Sequence, residues 1–292
     1  MKRDRLAAVM LAAVMLLGLA ASAGATDGTI EINQAKVLAA GGFPFAISTL
    51  GSYRLTSNLT VPPGQVGIEV TATGSGGVTI DLNGFSIIGP GTNSGFAGIL
   101  DAPSTAITVE NGTVAGFSAT DAVGVGADGP DAIVKNVQAD NNFFGIIVGS
   151  LSLIEGCTAN QNSVSGIQCN GGDCTISGNV ASGNGPDGIF CLDNGCTISG
   201  NTANGNTGQG IECGSGCQIS GNTANSNAVG IKCDGAGCLI TGNTIDNNSG
   251  DAISASDATT AYGGNVMNGD AGISGGTSMA GKNTNSCGGP AC

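Results

Sequence analysis

The sequence predicts an all-β protein, a parallel β-helix solenoid of about ten coils with three short strands in each. Three observations carry this. First, a Gly-Ile dipeptide or its equivalent recurs at 145, 166, 188, 210, 230 and 252, a step of 20 to 22 residues. Periods of that size mark stacked units, none of which can bury its own apolar side alone. Second, Cys174–Asn179, Cys196–Asn201, Cys217–Asn222 and Cys238–Asn243 are near copies of one line, Cys-Thr-Ile-Ser-Gly-Asn. Third, apolar and polar residues alternate with period two throughout, as strands with one buried face require.

Within one repeat, Ile176, Ile198, Ile219 and Ile240 point inward in a first strand, with Thr175, Ser177 and their counterparts facing out. Ala159, Ala181, Ala203, Ala224 and Ile245 take the inward place in a second strand, and Ile167, Ile189, Ile211, Ile231 and Ile253 in a third. Three such strands in about 21 residues, joined by Gly and Asn corners, leave no room for a helix. Asn136, Asn179, Asn201, Asn222, Asn243 and Asn265 are read as one corner row, with Asn83 and Asn111 earlier and Cys157 as its exception. Asn tolerates the left-handed backbone region, and stacked Asn side chains can hydrogen-bond along the axis. A second row, Asn162, Asn184, Asn206, Asn227 and Asn248, follows five residues later. Both rows are read as structural.

Residues 1–25 combine a basic start, an apolar run from Leu6 and an Ala-x-Ala end. That pattern predicts a secretory signal peptide, and after its cleavage no membrane insertion. The mature chain then keeps 20 acidic and five basic side chains, near −15. Such a surface is a poor partner for nucleic acid and anionic membranes. Residues 26–65 predict an N-terminal cap and a first irregular coil, with a strand at Ile30 and a short helix stopped by Gly41-Gly42. Residues 66–273 carry the solenoid, its early coils longer and looped, and residues 274–292 form a Gly- and Cys-rich tail.

The stretches Val78–Pro90 and Ile107–Phe117, with Tyr53–Asn58, resemble secreted bacterial right-handed parallel β-helix repeat proteins of the pectin-lyase-like superfamily. The resemblance covers the mature chain and implies a right-handed coil. It implies little about activity, because that superfamily holds lyases, hydrolases, adhesins and members without a known role. Its lyases use an Arg or Lys base with Ca²⁺-binding carboxylates, and its polygalacturonase-like hydrolases use clustered aspartates with His and an Arg-x-Lys segment. This chain has no His, no Asp-Asp doublet and no such segment. Lys232 aligns one coil above Glu212 as a cross-strand pair. Two carboxylates several ångströms apart suffice for inverting glycoside hydrolysis; Asp128 and Asp131 are the nearest candidates, although turn formation also explains them. No catalytic residue, metal or cofactor is assigned.

Eight cysteines bracket turns of three or four residues: Cys169 with Cys174, Cys191 with Cys196, Cys213 with Cys217, and Cys233 with Cys238. In an exported chain these favour corner disulfides. A thiolate metal ladder and pairing between coils are the other geometrically open arrangements. Cys287 and Cys292 are expected to pair, leaving Cys157 buried and inert. Beside the Asn corners, Thr158, Asn160, Thr202, Asn204, Thr223, Asn225 and Thr244 fall on one outward polar strip. The expectation is an exported, non-catalytic β-helix acting as a structural or binding surface, for which an extracellular or cell-surface polysaccharide is the candidate partner. A divergent polysaccharide-acting enzyme is the alternative.

Overall fold

The computed structural model describes residues 28–92, 96–101, 106–278 and 286–287. The expected signal segment, and the side chains of the expected Cys287–Cys292 pair, lie outside the described residues. The chain winds into a parallel β-helix. One sheet runs from Ile30–Ile32 to Thr277–Ser278, and a second of eleven strands runs from Phe45–Ile47 to Ile273–Ser274. Eleven strands make about eleven coils, one more than the repeat count predicts. At a spacing of about 4.8 Å they make a rod of about 50 Å.

In the middle coils the third strand is reduced to single parallel bridges, Gln138–Thr158–Val180–Thr202–Thr223–Thr244. It is a ladder on either side of them: in the early coils Leu59–Thr60 pairs with Ser86–Gly91, and that with the later part of Ile107–Phe117, while Thr244–Asp246, Val266–Asn268 and Ser286–Cys287 form a three-stranded sheet. Pairing is in register throughout, so like residues stack: Ile154, Ile176, Ile198, Ile219 and Ile240 on the first sheet, and Ile167, Ile189, Ile211, Ile231 and Ile253 on the second. All are fully buried. Each contributes about 1.5–3 kcal/mol of apolar transfer energy, which only the stacked neighbours make available.

The open N-terminal end is covered as the sequence suggests. Helix α1 (Gln34–Ala39) starts at Asn33, whose Oδ1 accepts the Lys36 backbone N–H at 2.9 Å, and it buries Val37. Gly41 and Gly42, at φ +112° and +100°, end it.

The corners correct one reading. Asn111 and Asn136 are left-handed, with φ +61° and +52°, but Asn179, Asn201, Asn222 and Asn243 are not; Gly178, Gly200, Gly221 and Gly242 take that conformation instead. Strand register aligns Asn136 with Gly156, and Cys157 with Asn179. The early and late asparagines therefore occupy neighbouring columns, one outside the coil and one inside it.

The inward Asn are held by hydrogen bonds rather than by backbone preference. Asn201 Nδ2 donates to Ile176 O at 2.9 Å and to Asn222 Oδ1 at 3.0 Å, while its own Oδ1 accepts the Asn179 N–H at 2.9 Å and Asn179 Nδ2 at 3.0 Å. The second row repeats the pattern from Asn162 to Asn248, preceded by Asn142 and closed by Asp270, whose Oδ1 accepts both nitrogens of Asn248. Buried amides this fully satisfied cost little and specify register.

The second row also explains the glycine of Gly-Ile. A Cβ on Gly188 would stand 2.6 Å from Asn206 Nδ2, 2.7 Å from Gly210 O and 2.8 Å from Ala181 O. The Asn of the next coil occupies the space a side chain would need.

Candidate functional site

The bridged third face brings the sequence-derived strip together. Thr158, Thr202, Thr223 and Thr244 stand in one column, interrupted by Val180, and all four threonines are half-buried. Asn160, Ser182, Asn204, Asn225 and Asp246 form the adjacent column. Their oxygens are already engaged: Asn160 Oδ1 accepts the Ser182 N–H, Ser182 Oγ the Asn204 N–H, Asn204 Oδ1 the Asn225 N–H, and Asn225 Oδ1 the Asp246 N–H, at 2.8 to 3.3 Å. What remains for a ligand is a row of threonine hydroxyls beside the Nδ2 groups of Asn160, Asn204 and Asn225. The strip is thus richer in donors than its composition suggests.

Toward the N-terminus the threonine column continues as Thr158, Gln138 and Thr113 and opens into a groove of about 330 Å³. Asn111, Thr113, Asn136, Gln138 and Thr158 line it together with Gly84, Gly112 and Gly156. Glycine at these corners keeps the wall low, and every lining group is uncharged. The sequence signal for this groove was the outer Asn column, masked by its merger with the inner one.

The second sheet carries the charged groups. Lys232 Nζ lies 3.1 Å from Glu212 Oε1 and 2.8 Å from Asp234 Oδ2, joining the expected cross-strand pair to an acid from the next turn. Burial, then the neighbouring Asp234 and Asp187, push the Glu212 carboxyl up to about 7, against the pull of Lys232. Burial also raises Asp187, which is only 8% exposed and has one oxygen without a hydrogen bond.

Asp128 and Asp131 separate. Asp131 sits in a left-handed turn, its N–H bonded to Ser150 O at 3.0 Å. Asp128 accepts from Asn170 Nδ2 at 3.4 Å and has Asp101 for a charged neighbour. Asp101 was missed at the sequence level, yet it had a signal: it is two residues past inward Ile99, an acid at a core position.

The eight corner cysteines form the four pairs within single coils, with Cα separations of 6.6 to 6.7 Å. Sulfurs of successive pairs stack, Cys169, Cys174 and Cys196 lying within 4.8 Å of one another. Cys157 is free and buried, its Sγ donating to Val134 O at 3.4 Å, and burial pushes the thiol up to about 11.

Residues 67–224 and 124–285 match the family described as right-handed β-helix region. The chain belongs to that family. Among solved structures, this β-helix resembles the Dettilon tailspike protein at 17% identity and a TM-score of 0.62, over 82% of this chain and 57% of the tailspike. The A-modules of the Azotobacter vinelandii mannuronan C-5 epimerases AlgE4 and AlgE6 align at 14% and 16% identity, with TM-scores of 0.49 and 0.46. They cover 82% and 80% of this chain and 82% of each module. The tailspike likeness, at this identity, concerns the fold alone, and the epimerase likenesses are weaker still. No curated protein sequence matches the chain. Among the described residues no helix is long and apolar enough to cross a membrane.

Proposed function

We propose that the protein is exported and non-catalytic, and that its bridged third face binds an extended, uncharged polysaccharide. The observation that carries this reading is the column of threonine hydroxyls and unengaged amide nitrogens, complete at Thr158 with Asn160, Thr202 with Asn204 and Thr223 with Asn225 and broken at Val180 and Ser182, leading into the uncharged groove at Asn111 and Asn136. A coil rise of about 4.8 Å is close to the length of one extended sugar residue, so a polymer lying along the axis meets the same donors repeatedly. The net charge of −13 disfavours uronate polymers. Export is supported by the apolar N-terminal segment and the four corner disulfides. Affinity is expected to be weak, because the strip has no aromatic platform on which sugar rings could stack.

A titration against neutral and acidic glycans tests this. Thr202→Tyr with Thr223→Tyr is expected to weaken binding more than Glu212→Ala with Lys232→Ala. The reverse order, with both variants folded, would move the site to the second sheet. The acids gathered on that sheet favour the second reading, a polysaccharide-acting enzyme. Release of sugar from pectin or alginate, abolished by Asp128→Ala, would establish it in place of the first.

A further inference from the structure

The four corner disulfides are stacked by strand register, which sets Cys169 beside Cys191, Cys191 beside Cys213 and Cys213 beside Cys233. Paired residues of neighbouring strands stand about 4.8 Å apart at Cα, inside the range of about 4.4–6.8 Å that a disulfide spans. The bonded pairs within a coil, at 6.6 to 6.7 Å, fall inside it too. One backbone therefore fits bonds along a coil and bonds between coils, and the choice falls to side-chain rotation. The two arrangements differ in what they hold. Bonds within coils close small loops and leave adjacent coils joined by hydrogen bonds and packing, whereas bonds between coils tie the rod along its axis.

The sulfurs of three pairs are within reach of one another. Cys169, Cys174 and Cys196 Sγ lie within 4.8 Å of each other, and so do Cys191, Cys196 and Cys213 Sγ. Cys196 thus faces both sulfurs of the coil before it, and Cys213 both sulfurs of its own preceding coil. All six side chains of these pairs are at most 1% exposed, so a thiolate formed among them is shielded from solvent and meets its neighbours first. Among the described residues no such triangle reaches the fourth pair. There Gly214 O, from the third turn, lies 3.3 and 3.2 Å from Cys233 and Cys238 Sγ.

We infer that the first three disulfides form a single exchange chain, a redox-responsive staple that converts bonds within coils into bonds between coils. The chemistry is thiol–disulfide exchange, in which a thiolate attacks one sulfur of a disulfide and expels the other. A thiol reductant that reaches the third pair during local opening attacks Cys217, forms a mixed disulfide there and releases Cys213. Cys213 Sγ then attacks Cys191 Sγ; the Cys191–Cys213 bond forms, the Cys191–Cys196 bond breaks, and the electron pair leaves on Cys196. Cys196 attacks the Cys169–Cys174 bond in the same way and expels one of the two sulfurs. Each step breaks one S–S bond and forms one, so no oxidant is consumed, and the proton brought by the reductant ends on the last thiol. Sulfurs held side by side make the internal steps intramolecular, at an effective concentration far above that of a free thiol. The chain lies apart from the polar strip, so its failure and the failure of the glycan reading are distinguishable.

Cys217→Ala tests this by placing a thiol at Cys213 without any reductant. The full-length variant is held at mildly alkaline pH, quenched in acid denaturant, trapped with maleimide and mapped as unreduced peptides. We expect loss of most of the label from Cys213, appearance of the Cys191–Cys213 bond, and label on Cys196, Cys169 and Cys174. Cys191→Ala starts the chain at Cys196 and should send label to Cys169 and Cys174. Cys238→Ala leaves Cys233 outside any triangle and should keep its label there. Should these variants fail to fold, the parent protein with one equivalent of a monothiol decides, the Cys191–Cys213 bond being expected in the native state. Label confined to Cys213 and Cys196 in the first two variants, or bonds within coils alone in the treated parent, would overturn the inference. So would label leaving Cys233 for the third coil, or new pairs that take in Cys157, since those are the scrambling of an unfolded chain.

Discussion

Replacing Asn201 by alanine tests whether the amide ladder or the apolar stack holds register. Asn201 touches both neighbouring coils, so its loss strands several groups at once. The Asn179 backbone N–H and Asn179 Nδ2 lose their shared acceptor, and Ile176 O loses a donor. Asn222 Oδ1 keeps the Asn201 backbone N–H, and that bond survives. Asn179 Nδ2 keeps Ile154 O at 3.0 Å, so one orphaned N–H at about 1–3 kcal/mol and two further lost bonds at about 0.5–1.5 kcal/mol each give a loss of about 2–6 kcal/mol. Asn225→Ala, on the half-exposed strip, strands only the Asp246 N–H, which water can reach. Its cost should be about 0.5–1.5 kcal/mol. Urea unfolding of both variants, with hydrogen exchange at the Asn179 amide, measures the contrast. Equal losses in the two variants, or an Asn201→Ala midpoint within error of the parent, would refute the claim that buried ladder bonds dominate.

Gly188→Ala should destabilise by about 1–3 kcal/mol, because two of the three atoms crowding the new methyl are backbone oxygens that cannot swing aside; thermal unfolding reads this directly. Glu212 titrates in the folded state near 7, above its ordinary 4.5, so the folded protein holds the extra proton. The group's contribution is full below about 4.5 and is lost as pH rises toward about 7. Glu212→Gln should flatten the pH dependence of stability in that window, and an unchanged slope would deny the buried acid its role. Cys157, with its thiol pushed up to about 11 and no exposed surface, should resist maleimide at neutral pH until the protein unfolds; rapid labelling of the native protein would contradict its burial.

The architecture was legible because one period governs everything: inward Ile columns, Gly-Ile steps and corner cysteines all repeat about every 21 residues, and a solenoid turns period into position. The threonine strip was legible for the same reason. What sequence alone blurred was the side on which a corner residue sits. Asn136 and Asn179 look alike in a string, yet one uses its backbone freedom and the other its side-chain amide, and only strand register tells them apart. The groove at Asn111 was hidden with them. Glu212 and Lys232 were legible as facing strand positions. Asp234 lies in a turn, where alternation no longer says which way a side chain points, and Asp187 opens the strand Asp187–Cys191 two residues before inward Ile189, another acid at an inward position. Asp101 followed the alternation faithfully and was passed over because acids are not looked for in a core.

The inner asparagine rows have a consequence for how such a chain can change length. Every rung presents the same donors to the coil after it and the same acceptor to the coil before it, so a rung does not register how many others precede it. Removing Asn179–Gly200 would bring Asn201 against Cys157 in the relation Asn179 holds now, with no new surface to be fitted. Only the ends differ: α1 covers the first coil, and Asp270 closes the second row with a carboxylate that accepts and does not donate onward. Length in this molecule is thus open to change by whole coils through duplication or deletion of the gene segment, while the two termini hold what makes the rod finite.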